Sequence, residues 1–254
     1  MQDNLNKFVS EYSLRIGDTS LILGQRLGEW CGHGPILEED IAITNISLDL
    51  IGQARSFLTY AGGLLENNKS EDDLAFFRDT REYRNTLLAE QPNGDFAHTM
   101  LRQLFISAFQ YCFFEKLKSS KDETISALAE KSLKEVTYHL RHSGEWIKRL
   151  GDGTGESKSK VTEALEELWK YTGDLFSMDE VDEALIKKGI AVNLDDVKKN
   201  WQMKIKEIFA EATLEYPSDT FMITGGILGN HTEYLGHLLA EMQILPRSFP
   251  GAEW

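Results

Sequence analysis

The stretch EEDIAITNISLDLIGQAR, residues 38–55, decides how this chain is read. Its apolar residues Ile41, Ile43, Ile46, Leu48, Leu50 and Ile51 recur at helical spacing and cover several faces. A helix apolar nearly all round belongs in a core, so the spacing predicts a long buried helix over residues 37–65. Polar residues nevertheless interrupt it. At 3.6 residues per turn, Glu38, Asn45, Asp49, Gly52 and Ser56 fall within an arc of about 60°. A buried carboxylate must find a partner or take up a proton, so this stripe is expected to face inward onto other polar groups.

Outward from that helix, the same period continues. Pro35, Pro92, Pro217, Pro246 and Pro250 sit at punctuation points, and no alternating Val/Ile-rich run suggests a sheet. Helices are expected at about 18–30, with room for a short helix before it, and at 37–65, 95–118 and 123–150, with a shorter helical piece near 79–90. The glycine-rich GDGTGES then turns the chain, and further helices are expected at about 159–176, 181–188, 195–214 and 229–245. The fold class read from this pattern is all-α. It is a single domain over 1–254, with a core bundle at about 18–150 and a helical extension at about 157–254.

Three other long helices carry polar faces of their own. The first offers Asp18, Gln25 and Glu29; the third offers Gln103, Ser107 and Gln110; the fourth offers Glu135, His139, His142 and Trp146. Four such helices suggest a bundle with a polar centre. The known chemistry of such a centre is the carboxylate-bridged di-iron site, which takes a Glu from each of two helices and Glu-x-x-His from each of the others. Several positive charges need about four carboxylates to balance them, and imidazoles complete the shell.

This sequence lacks that donor set. None of its six histidines has a glutamate three residues earlier, and Asp95-x-x-His98 is the nearest match. Asp95 follows Pro-Asn-Gly and reads as a helix cap. The positions that would line up with the recipe are Gln25, Asp49-x-x-Gly52, Gln103 and Glu135-x-x-Tyr138, which supply two carboxylates and no imidazole. The expectation is no catalytic, metal or cofactor-binding residues. Instead, Gln25, Asn45, Asp49, Gln103, Glu135 and His139 are expected to form a buried network where a metal would otherwise sit. Arg102 or Lys131 are candidates for countercharge. The His231 and His237 pair is read as part of a solvated face. No Walker A, G-x-S-x-G or H-E-x-x-H motif occurs, and residues 224–230, TGGILGN, read as a turn.

Composition narrows the partners. A formal charge of −14 disfavours nucleic acid and anionic membrane surfaces. The two cysteines, Cys31 and Cys112, form no disulfide framework or metal spacing. With no apolar stretch of signal-peptide or membrane-span type, a cytoplasmic protein is expected.

Residues 23–55, LGQRLGEWCGHGPILEEDIAITNISLDLIGQAR, also carry a resemblance, as do AEQPNGDFAHTMLRQ at 89–103 and KEVTYHLRHSGEWIKRLGDGT at 134–154. LWKYTGDLF at 168–176, HTEYLGHLLAEMQ at 231–243 and the closing PGAEW extend it in order. The sequence resembles the PaaC-type subunits of bacterial phenylacetyl-CoA epoxidases, multicomponent monooxygenases of phenylacetate degradation. That resemblance implies a ferritin-like four-helix bundle with additional C-terminal helices. It also implies a structural role beside a homologous catalytic subunit, PaaA, which carries the di-iron site. With PaaB and a flavin and iron–sulfur reductase, PaaE, such complexes use NADPH and O₂ to form the 1,2-epoxide of the ring of phenylacetyl-CoA. Two other readings stay open at this point: a di-iron oxygenase with unusual ligands, and an acyl-CoA binding module on a metal-free core. Trp30, Phe249 and Trp254 are candidate interface aromatics.

Overall fold

The structure, a computed structural model, describes residues 2–65, 68–218 and 221–252. Among them are nine α-helices and no strand, so the fold is all-α. The contacts divide the chain into two compact units. The first comprises residues 1–92 and 225–254, and the second residues 93–224.

The first unit is built on an antiparallel pair, α1 (Gln2–Gly28) and α2 (Leu37–Gly63). Small residues let the two helices approach closely. A Cβ on Gly24 would lie 3.1 Å from the Ile51 side chain and 3.3 Å from the Ser47 carbonyl oxygen. Hydroxyls fasten the seam: Ser47 donates to the Gly24 carbonyl at 2.7 Å, Ser20 to Gln53 at 2.8 Å, and Ser10 to the Ala61 carbonyl at 2.9 Å. The short α3 (Glu71–Phe76) starts at a Ser70/Asp73 capping box. A 3-10 turn, Thr80–Glu82, follows. After residue 225 the chain completes this unit with a 3-10 turn at Gly226–Leu228 and α9 (Glu233–Ser248). Gly229 has φ +77°, and a Cβ there would sit 2.3 Å from the Arg81 carbonyl oxygen, so only glycine fits against that turn.

The second unit pairs α4 (Phe96–Leu117) with α5 (Glu123–Gly151). Asp95 caps α4 by accepting from the His98 N–H at 3.0 Å, as the sequence suggested. Then follow α6 (Gly155–Leu168), a 3-10 segment Trp169–Phe176, α7 (Glu180–Lys188) and α8 (Leu194–Glu211). They enclose an aromatic core in which Phe105 meets Trp169, Trp201 and Phe209 at centroid distances of 5.7, 5.8 and 6.1 Å. The Trp201 indole N–H is satisfied by the Phe105 carbonyl at 2.9 Å.

Four expectations are corrected. The first helix begins at Gln2 rather than near residue 18. The 79–90 piece is a 3-10 turn followed by irregular chain, and residues 169–176 are 3-10 rather than α. Most consequentially, α2 is not buried all round. Ile43, Ile46, Leu50, Gln53 and Phe57 are buried, whereas Leu37, Ile41, Leu48 and Ile51 are exposed at 73, 53, 60 and 40%. The helix therefore has two apolar faces, and the polar stripe runs between them.

Candidate functional site

The residues expected to form one inward network are divided between the units. On α1, Gln25 is half-buried; on α2, Asn45 is exposed and Asp49 half-buried. Asn45 shares the helix side of Ile41 and Leu48, so a buried role within this chain does not hold for it. The apolar pattern of α2 has two candidate faces, and periodicity alone does not say which one meets the core. In the second unit Gln103 and His139 are buried and Glu135 is half-buried. Gln103 donates through Nε2 to the Ser107 hydroxyl at 2.8 Å, and its Oε1 is buried without a partner. Arg102 is buried but reaches Asn93 Oδ1 at 2.5 Å, near the start of α4, while Lys131 is exposed.

A di-iron centre does not fit these residues. Gly52 supplies no donor atom, Tyr138 is 39% exposed, and the Gln103 amide brings no charge. Among the described residues, no three His, Cys, Asp or Glu side chains come together in a way that could hold a metal ion. The two cysteines are free; Cys112 is buried, which pushes its thiol up to about 11. Phe249 is exposed and Trp30 half-buried, while Trp254 lies outside the described residues.

The densest buried charge lies elsewhere, in the first unit. Asp18 on α1 is fully buried and accepts both terminal nitrogens of Arg78 in a bidentate pair, with Nη1 at 2.9 Å. It also accepts the Arg84 backbone N–H at 2.8 Å. Burial opposes the Arg78 charge, but Asp18 outweighs it and holds the guanidinium well protonated. That guanidinium stacks 4.3 Å from the Tyr83 ring centroid. Burial, reinforced by Asp18, pushes the Tyr83 phenol upward, so it stays neutral and donates to the Ala75 carbonyl. Gln243 of α9 closes the group, donating to the Ala75 and Arg78 carbonyls at 3.2 and 3.0 Å and to the Tyr83 oxygen at 3.2 Å.

Beside it stands Glu90, also fully buried. Its Oε1 accepts from the Thr232 N–H at 2.6 Å and the Thr232 hydroxyl at 2.8 Å. Its Oε2 accepts from Asn85 and from His231 Nδ1, both at 2.8 Å. His231 Nε2 faces the Tyr83 carbonyl oxygen at 3.0 Å. A carboxylate oxygen and a carbonyl oxygen both accept, so both ring nitrogens donate and His231 is an imidazolium. Burial disfavours that charge, yet Glu90, the Tyr83 carbonyl and Asp18 together raise the histidine above its ordinary value. Arg26 adds hydrogen bonds to the Glu90 carbonyl at 3.2 and 3.0 Å and to the Tyr234 carbonyl at 3.3 Å.

This arrangement corrects the solvated reading of His231, whose side chain is only 1% exposed. The sequence offered little signal for it: Glu90 and His231 are 141 residues apart, and neither belongs to a recurrent motif. Every charged group of the cluster is satisfied inside the protein. The cluster fastens the 225–248 segment to the 78–91 segment.

Comparison with known proteins gives the chain a family. A family model described as phenylacetic acid catabolic protein matches residues 1–254. The chain is also 49% identical over 246 residues to the C subunit of the 1,2-phenylacetyl-CoA epoxidase of Escherichia coli (strain K12). That alignment covers 97% of this chain and 99% of the relative. Family match and near-complete alignment lead to one assignment: the chain belongs to the phenylacetic acid catabolic protein family.

Proposed function

We propose that this chain is the structural, non-catalytic subunit of a multicomponent phenylacetyl-CoA epoxidase. In that role it stabilises a homologous di-iron subunit of the PaaA type, in a complex with PaaB-type and reductase (PaaE-type) components. The complex converts phenylacetyl-CoA to its ring 1,2-epoxide with O₂ and NADPH, in the cytoplasm. The metal, the flavin and the iron–sulfur centre belong to the partners.

One observation carries the division of labour. The sequence has no Glu-x-x-His, and the buried polar stripe of α4 at Gln103, Ser107 and Gln110 carries amides and a hydroxyl and no carboxylate. Such groups hydrogen-bond to one another but do not neutralise two iron ions. The naming of the relative as one subunit of an enzyme, at 49% identity, supports membership of a complex rather than independent action.

The test is to co-express the other subunits with and without this chain and to assay epoxidation of phenylacetyl-CoA. The expected result is loss of activity and of soluble catalytic subunit when the chain is omitted. Iron analysis of this chain alone gives the opposing arm, because about two irons per chain would mark an oxygenase in its own right.

A further inference from the structure

The exposed face of α2 is organised, not merely apolar. Leu37, Ile41, Thr44, Leu48, Ile51 and Arg55 are spaced by four, three, four, three and four residues. That is a strict 3.5-residue repeat, the narrow seam by which one helix receives another at a shallow crossing angle. The opposite face of α2 is already occupied by its own packing on α1, through Ser47, Gln53 and Ala61. Among the described residues the four aliphatic side chains of the seam are 40–73% exposed, Ile51 least because it also meets α1 at Gly24. Amphipathic α5 shows the ordinary alternative, with Lys131, Lys134, Arg141 and Glu145 on its exposed side.

Two features say what covers the seam. At its C-terminal end it opens into a hollow of about 330 Å³ lined by Leu21, Ile51, Ala54, Leu58 and Phe76, with the Arg55–Glu71 ion pair (3.1 Å) at its edge. A single large apolar side chain from outside would fill such a hollow, the usual form of an interface anchor. At the N-terminal end the rim is acidic, with Glu38, Glu39 and Asp40 in the first turn of α2. A second copy of a chain carrying −14 would bring its own acidic surface to this acidic one, whereas a partner helix flanked by Lys or Arg would be drawn to it. Gly52 borders the seam with nothing within 4 Å of where its Cβ would be, so a neighbouring backbone can come close.

We propose that the Leu37–Ile41–Leu48–Ile51 seam of α2 is the docking surface for one helix of a second, non-identical helical subunit. That helix is apolar at the same 3.5-residue spacing, carries basic flanks and inserts one large apolar side chain beside Phe76. The proposal rests on the reading of the chain as a subunit and adds to it the face and the chemistry of the contact.

The test uses the full chain co-expressed with a tagged catalytic-type subunit of the same complex. Leu48→Glu and Ile41→Glu should each weaken pairing by about 30-fold or more, because a charge then enters an apolar seam. Their melting temperatures as isolated chains should match the wild type, since both side chains are exposed. Met203→Glu, at a 62% exposed position on α8, is the control and should pair normally. A photo-crosslinking residue at position 48 should give an adduct with the catalytic-type subunit. Normal pairing of both α2 variants, or an adduct joining two copies of this chain, overturns the docking surface and leaves the subunit reading standing. Failure of the wild-type chain to pair with that subunit overturns both.

Discussion

In the first unit the Glu90 carboxylate meets four donors, whereas in the second the Gln103 amide meets one hydroxyl and leaves its Oε1 unpaired. Both side chains are buried to about the same degree. The difference follows from charge: desolvating a carboxylate costs several kcal/mol unless it is fully paired, while an amide tolerates a missing bond at about 1–3 kcal/mol. The charged cluster is thus where this fold is over-determined, and the amide stripe of α4 is where it is permissive. The two interiors should therefore respond very differently to substitution.

The largest response is expected from Asp18→Ala, which strands the buried Arg78 guanidinium and frees the Arg84 N–H. A loss of about 3–5 kcal/mol should appear in urea unfolding. A loss below about 1 kcal/mol would mean the cluster is not locked as described. Next comes His231→Gln, which removes an imidazolium bonded on both sides and should cost about 2–3 kcal/mol near neutral pH. It also carries a pH signature. The folded pKa of His231 lies above its unfolded value of about 6.5, so the stabilisation is complete below that pH. It is lost as pH rises through the folded value. Unfolding free energies measured from neutral into alkaline pH should fall for the wild type and lose that component in His231→Gln.

Gly229→Ala probes the same clasp without touching a charge. The positive φ costs about 1–3 kcal/mol, and the methyl group must push against the Arg81 carbonyl. A thermal melt should show the loss, and partial proteolysis should find residues 225–232 more readily cleaved. The smallest effect is expected in the second unit. Gln103→Leu removes an incompletely bonded amide and should change stability by less than about 1 kcal/mol in either direction. A loss as large as that of Asp18→Ala would show that the two interiors are equally constrained and erase the contrast.

Much of the fold was legible because α2, α4 and α5 advertise themselves by period and by breaker residues. Their bounds fall within two residues of those expected from Pro35, Asp95 and the GDGTGES turn. The start of α1 was hidden because its buried face includes Ser10 and Ser13 beside Val9 and Tyr12, which dilutes the apolar repeat. Residues 79–90 looked helical by composition, but several of their polar groups bond to distant Asp18, His231, Thr232 and Gln243. No local pattern encodes such partners. Asn45 misled for a related reason: a helix with two apolar faces presents the same period whichever face is covered from within.

The division of the first unit into residues 1–92 and 225–254 has a consequence for the order in which the protein can be made. A ribosome delivers Glu90 long before it delivers His231 and Thr232, with 140 residues between Glu90 and His231 still to come. Until they emerge, the Glu90 carboxylate lacks three of its four donors and is better solvated than buried. The unit whose chain begins first is therefore the one that can close last. The second unit, encoded without interruption, can consolidate while synthesis is still under way. Nascent chains halted short of residue 231 should hold a protease-resistant second unit beside an unfinished first one.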